Sequence, residues 1–116
     1  MYNLSKFLQE KGISIPDNNT PDTPVATKVK HLLTTEFDLS PDAIVNEAEL
    51  RRDLDMYDLE CIDFLAAWMN AFGLDYKLLN EMMGPDKEGM DIMFRIKTVG
   101  EIVALTEWLM QGTSFS

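Results

Sequence analysis

Three helix starts are written into this chain, and they limit what it can fold into. At Thr23-Pro24 a capping hydroxyl precedes a proline placed at the first helical position, where its missing N–H costs nothing. Ser40-Pro41-Asp42 repeats the signal and predicts a single turn running to Ile44, with Ser40 as its cap. Thr98-Val-Gly-Glu101 is a capping box. The first start leads into a stripe of Val25, Val29, Leu32, Leu33 and Phe37; the last leads into Val99, Ile102, Val103, Leu109 and Met110, with Gly112 beyond. Between them a helix is expected from 58 to 72, with Leu59, Ile62, Leu65, Trp68, Met69 and Phe72 facing inward. Asp55 and Asp58 form a capping arrangement at its start.

The remaining stretches are weaker signals. A short helix is expected over 77–83, stopped by Gly84-Pro85, and the alternation of Ile92, Phe94 and Ile96 permits a brief extended segment. At the front, Leu4, Phe7 and Leu8 fall at helical spacing before Gly12, and Pro16, Pro21 and Pro24 then punctuate a linker. The fold class is therefore all-α: a small bundle of three main helices and one short one, with an N-terminal extension. Residues 1–23 are the extension and linker, 24–112 the bundle and 113–116 a tail. The extension is expected to be loosely attached, its removal costing about 1 kcal/mol or less.

Composition narrows the class of partner. The chain has 116 residues, 46% of them apolar and 26% charged, enough for one ordinary core without disulfides. Its formal charge of -10 repels phosphate backbones and anionic lipid, so the expected partner is a protein with a basic surface rather than nucleic acid. One cysteine, Cys61, excludes an internal disulfide and fits a reducing compartment. Neither a leader pattern nor a membrane span is read here, and a cytoplasmic monomer is the expectation.

The acidic run "DLDMYDLECID" at 53–63 invites three chemical readings. As a calcium loop it fails twice: Asp58 stands at the sharp-turn glycine position, and Phe64 stands where a bidentate carboxylate is needed. His31, between Lys30 and Leu32 on a helix, is the one nitrogen donor for other metals, so no metal site is expected. An acid pair built from Asp58 with Glu60 or Asp63 lacks a companion nucleophile, oxyanion donor or metal, and the chain is not read as an enzyme. Cys61 sits among Asp58, Glu60 and Asp63, which raise a thiol pKa, and an unreactive cysteine is expected. The eight methionines fill a core or line an adaptable apolar surface. The third reading, an acidic loop and helix start, is the one adopted.

From about residue 25 to 110 the chain resembles an acyl carrier protein. "KVKHLLTTEFDLSPDAI" is similar to that family's first helix, and "ELRRDLDMYDLECIDFL" to its loop and second helix start without gaps. "IKTVGEIVALTEWL" is similar to its last helix. In this register Asp53-Leu54 matches the family's Asp-Leu, and Leu59, Ile62 and Leu65 match its inward positions. Tyr57-Asp58-Leu59 stands where the family has Asp-Ser-Leu, so Asp58 replaces the serine that accepts 4'-phosphopantetheine. Met69-Asn70-Ala71 replaces the family's later acids, and the stretch from Phe72 to Thr98 is longer than usual.

The resemblance implies a serine-less, carrier-like bacterial protein of uncharacterised function, without a cofactor. Its expected role is a non-catalytic interaction or regulatory module, with Asp58, Glu60 and Asp63 facing a basic partner. A fixed carboxylate at 58 weakly imitates the phosphate that the family's modified serine would carry, with negative charge but fewer acceptor oxygens. The alternative is a non-covalent binder or carrier of an acyl chain or other apolar ligand, related to fatty-acid or polyketide metabolism. It would hold that ligand near Trp68, Met69 and Phe72.

Overall fold

A computed structural model describes residues 8–74 and 96–113. Within them the chain is helical: α1 (Pro24–Phe37), a 3-10 turn (Pro41–Ala43), α2 (Asp58–Phe72) and α3 (Val99–Thr113), preceded by a helical turn at 8–10. No strand occurs among the described residues; one isolated antiparallel bridge joins Glu49 to Thr98. The helix expected over 77–83, and Ile92 and Phe94, lie outside the described residues, as do Leu4 and Phe7.

The local chemistry of α1 explains its limits. Thr23 caps it, its hydroxyl accepting from the Ala26 N–H at 3.1 Å, and Pro24 occupies the first turn. The helix ends where Asp38 turns left-handed at φ 54°. Ala26, Val29 and Leu33 are buried, with Val25, Leu32 and Phe37 packed at the edge, and α1 packs against both other helices. The Phe37 ring meets Phe64 of α2 at 6.2 Å. Ser40 makes no side-chain cap, contrary to expectation; its carbonyl accepts from Ala43 instead, at 3.0 Å.

Helix α2 spans the expected residues but is turned. Cys61, Phe64, Leu65, Trp68 and Met69 form its buried face, whereas Leu59, expected inward, is 77% exposed. The reason is geometric. Steps of three residues fall about 60° short of a full turn, so the run 59, 62, 65, 68 travels roughly half-way round the helix. Only its later members can share a face with Phe64 and Trp68. Nor does Asp55 cap the helix, because the N-cap is Tyr57, without a side-chain bond. At the other end Gly73, at φ 66°, closes the last turn, and Lys28 of α1 donates to the Ala71 carbonyl at 2.7 Å while lying over the Phe72 ring.

Helix α3 is the centre of the fold. Every residue from Val99 to Thr106 is buried, so its first two turns have cover on all sides. The connection from 44 to 56 supplies one wall. It packs with period two, burying Ile44, Asn46, Ala48, Leu50, Leu54 and Met56. Backbone bonds from Leu50 to the Lys97 carbonyl and from Val99 to the Ala48 carbonyl fasten it to the start of α3. Across the core, the Trp68 indole N–H donates to the Thr106 hydroxyl at 2.8 Å, and that hydroxyl donates to the Ile102 carbonyl. Both groups are buried and satisfied.

The extension supplies another wall, which overturns the expectation of loose attachment. Leu8 is wholly buried, Gly12 ends its turn at φ 74°, and Ile13 and Ile15 pack against the core. The Asn46 amide donates to the Asp17 carbonyl at 2.7 Å, while Asn18 and Glu47 exchange two side-chain-to-backbone bonds of 3.1 and 2.8 Å. Where this arm crosses α3 the residue is Gly100, and a Cβ there would lie 2.6 Å from the Pro16 carbonyl oxygen. Proline spacing identified the segment as irregular. It carried no information on whether the irregular segment was docked.

Candidate functional site

The acidic run divides residue by residue once the backbone is placed. Asp53 is structural: its carboxylate accepts from the Glu49 N–H at 2.8 Å, and its own N–H donates to the Glu49 carbonyl at 2.8 Å. The Glu49 N–H on its carboxylate, with the neighbouring Arg52, holds its pKa below the usual aspartate value. Leu54 and Met56 point into the core, leaving Asp55 and Tyr57 outside, with Asp55 in the left-handed region at φ 59°. Asp58 is the first residue of α2. Glu60 and Asp63 are exposed on the helix, and Cys61 is buried with its thiol 3.7 Å from the Met56 carbonyl.

Two of the three predicted partner-binding residues, Glu60 and Asp63, thus share the solvent side of α2. That side also carries Leu59, Ala66 and Asn70. Tyr57 stands at its head, 58% exposed. Hydrogen bonding to Asp55 is the main cause raising the Tyr57 pKa, followed by the charge of Asp55, with Glu60 contributing less. The phenol is therefore set among carboxylates. No ion pair among the described residues engages Asp55, Glu60 or Asp63. From Asp53 to Tyr76 the sequence contains no Lys, Arg or His.

Comparison with protein-family models, curated proteins and solved structures gave no match. The reading of this face accordingly stands on its own residues. Among the described residues no group of three or more His, Cys, Asp or Glu is placed to hold a metal ion, and no helix is long and apolar enough to cross a membrane. Of the side chains named for an apolar ligand, Trp68 and Met69 are buried in the packed core, and Phe72 is half-buried beneath Lys28.

One carboxylate was legible only as a cap. Glu101 is nearly buried, accepting from the Lys97 N–H at 2.9 Å, while its own N–H donates to the Thr98 hydroxyl at 3.3 Å. Burial raises its pKa, more than backbone bonds from Lys97 and Thr98 and the Lys97 charge lower it, and nearby Glu49 adds to the rise. The folded state then holds this proton more tightly than the unfolded chain does. Its contribution to stability is fully present below the ordinary glutamate pKa and is lost as pH rises through the elevated folded value. Glu101→Gln keeps an acceptor for Lys97 and has no charge to bury. Thermal melts between about pH 4 and pH 8 should show this decline weakened in the variant. Parallel curves for the two proteins would assign the pH dependence elsewhere.

Proposed function

We propose that this chain is a non-catalytic protein-protein interaction or regulatory module built on an acyl carrier protein-like bundle, and that α2 presents its binding face. The observation that carries the reading is the exposed acidic charge of Glu60 and Asp63 on α2. Glu60 and Asp63 stand exposed on a helix that contains no cation. Such a face attracts a basic partner surface and speeds its approach, and salt weakens both effects. Asp58, at the head of the same helix, occupies the position of the serine in the family that the chain resembles. It offers no hydroxyl to attack coenzyme A, so covalent carrier chemistry is not assigned, nor is a catalytic role. The apolar-ligand alternative depends on Trp68 and Met69, which here serve the core, and the interaction reading is preferred for that reason.

The test has two arms. Incubation with a phosphopantetheinyl transferase and coenzyme A should leave the intact mass unchanged. A gain of one prosthetic group on any residue would overturn the non-carrier reading. In the second arm, Glu60→Gln with Asp63→Asn should leave the melting temperature nearly unchanged, because both side chains are exposed and without an ion pair among the described residues. The same double change should weaken binding to a partner recovered from the native host, and wild-type binding should fade with added salt. Salt-insensitive binding that also survives the double change would remove α2 from the interface.

A further inference from the structure

The N-terminal arm holds the bundle through contacts that do not require the two to belong to one chain. Its apolar anchors are Leu8, Ile13 and Ile15, packed against the core. Its polar anchors reach the connection: the Asn46 amide donates to the Asp17 carbonyl at 2.7 Å, and Asn18 and Glu47 bond reciprocally. Gly100 of α3 completes the seat, since a Cβ there would lie 2.6 Å from the Pro16 carbonyl oxygen. At its end the arm closes a turn on itself. The Asp17 N–H donates to the Thr20 hydroxyl and the Thr20 N–H to the Asp17 carbonyl, both at 3.1 Å. Just beyond, Asp22 pairs with Lys30 at 2.7 Å and Thr23 donates to Glu107, which fixes the start of α1 to the bundle. Pro21, exposed and without an N–H, stands between the two fixed pieces. Rotation at this joint swings the arm as a unit, keeping both its own turn and the start of α1 intact.

We infer that the arm of one copy docks on the seat of a second copy, so that the chain pairs with itself by reciprocal exchange of arms. Each arm contact of the closed chain is remade between the copies, both seats are filled, and association stops at two. Thr20 and Thr23 each precede a proline, which biases both towards the extended backbone that a link between copies needs. The seat is also incomplete until α3 has been made, and until then the arm is free to meet a finished copy. Closure within one chain competes through a short linker, equivalent to a local concentration on the order of millimolar, so exchange belongs to crowded folding. The polar contacts of the seat lie on α3 and on 46–47 rather than on α2, so exchange is separate from the binding of a basic partner. Salt distinguishes the two: screening favours the pairing of two chains of charge -10 and weakens a basic partner's grip.

For the test, the full-length protein is unfolded in urea, refolded at about 1 µM or about 1 mM, and sized by light scattering after equal dilution. The dimer share should be about ten-fold or more larger from the concentrated sample, and larger again when salt is present during refolding. Once formed, the dimer should persist on dilution, because return requires arms to leave their seats. A dimer refolded from equal parts of isotopically labelled and unlabelled chain should give isotope-filtered NOEs between Ile15 of one copy and Gly100 of the other. Leu8→Ser with Ile15→Ser removes the arm's anchors and should abolish the dimer; if that variant fails to fold, the NOEs of the wild-type dimer decide alone. Monomer at every concentration, or a dimer whose Ile15–Gly100 NOEs stay within one chain, would overturn the exchange and leave the α2 reading untouched.

Discussion

A chain beginning at Thr23 is expected to lose a large share of its stability, because the arm it lacks is part of the core. Leu8 alone is a fully buried leucine, and truncating such a residue to alanine typically costs about 2–5 kcal/mol. The arm also carries Ile13 and Ile15 against the core and the Asp17 carbonyl that satisfies the buried Asn46 amide. Losing that carbonyl strands the amide N–H beside an Asn46 Oδ1 that already lacks a protein partner. A combined loss of about 4 kcal/mol or more is expected, against a total of about 5–15 kcal/mol for ordinary domains. For a domain of this size that corresponds to a fall in melting temperature of at least about 15 °C. The Thr23 cap on α1 is retained in this chain, so the loss is not a capping effect. A fall of only a few degrees would return the segment to the status of a loose extension.

Gly100→Ala should be the costliest single methyl in the described structure. The added carbon would lie 2.6 Å from the Pro16 carbonyl oxygen, 3.0 Å from that of Asn46 and 3.3 Å from the Ile15 side chain. The two nearest atoms are backbone and cannot rotate away. Relief requires the arm or the 44–48 connection to move, which also stretches the 2.8 Å bond from the Gly100 N–H to the Asn46 carbonyl. A net loss of about 2–3 kcal/mol is expected, after any gain from alanine's better helix propensity. Denaturant unfolding measures it. Combining the change with the chain that begins at Thr23 locates the cause. With Pro16 and Ile15 gone, part of the penalty should vanish, giving a clear non-additivity. Equal penalties in both backgrounds would place the whole clash at Asn46.

These two sites mark where the sequence stopped being informative. Helix positions were legible because Thr23-Pro24, Thr98–Glu101 and the apolar run from 58 to 72 act locally, through caps and periodicity. The facing of a helix is not local. Leu59 fits a spacing of three as well as Leu65 does, and only the position of the other helices decides which one is inside. The connection from 44 to 56 did carry a signal, since Ile44, Ala48, Leu50, Leu54 and Met56 fall at even positions. Asn46 and Arg52 interrupt the pattern and hide it. Asn46 is buried because the arm brings it a carbonyl, a contact spanning 29 residues that no local pattern records. For the candidate site, the acids were legible as acids. The exposure of Tyr57 and Leu59 beside them came only with the orientation of α2.

The central place of α3 has a consequence for how the chain assembles during synthesis. Of the described elements it is the last to be made, yet one of the walls packed against it comes from far back in the sequence. Thr23 donates to Glu107 across a separation of 84 residues, and Pro16 meets Gly100. While α3 is still within the ribosome, Val29, Leu33, Leu65 and Trp68 lack the helix that completes the core around them. Closing such distant contacts costs loop entropy before it returns any burial, and it slows folding. The arm therefore waits, and the core closes in one late step once α3 emerges.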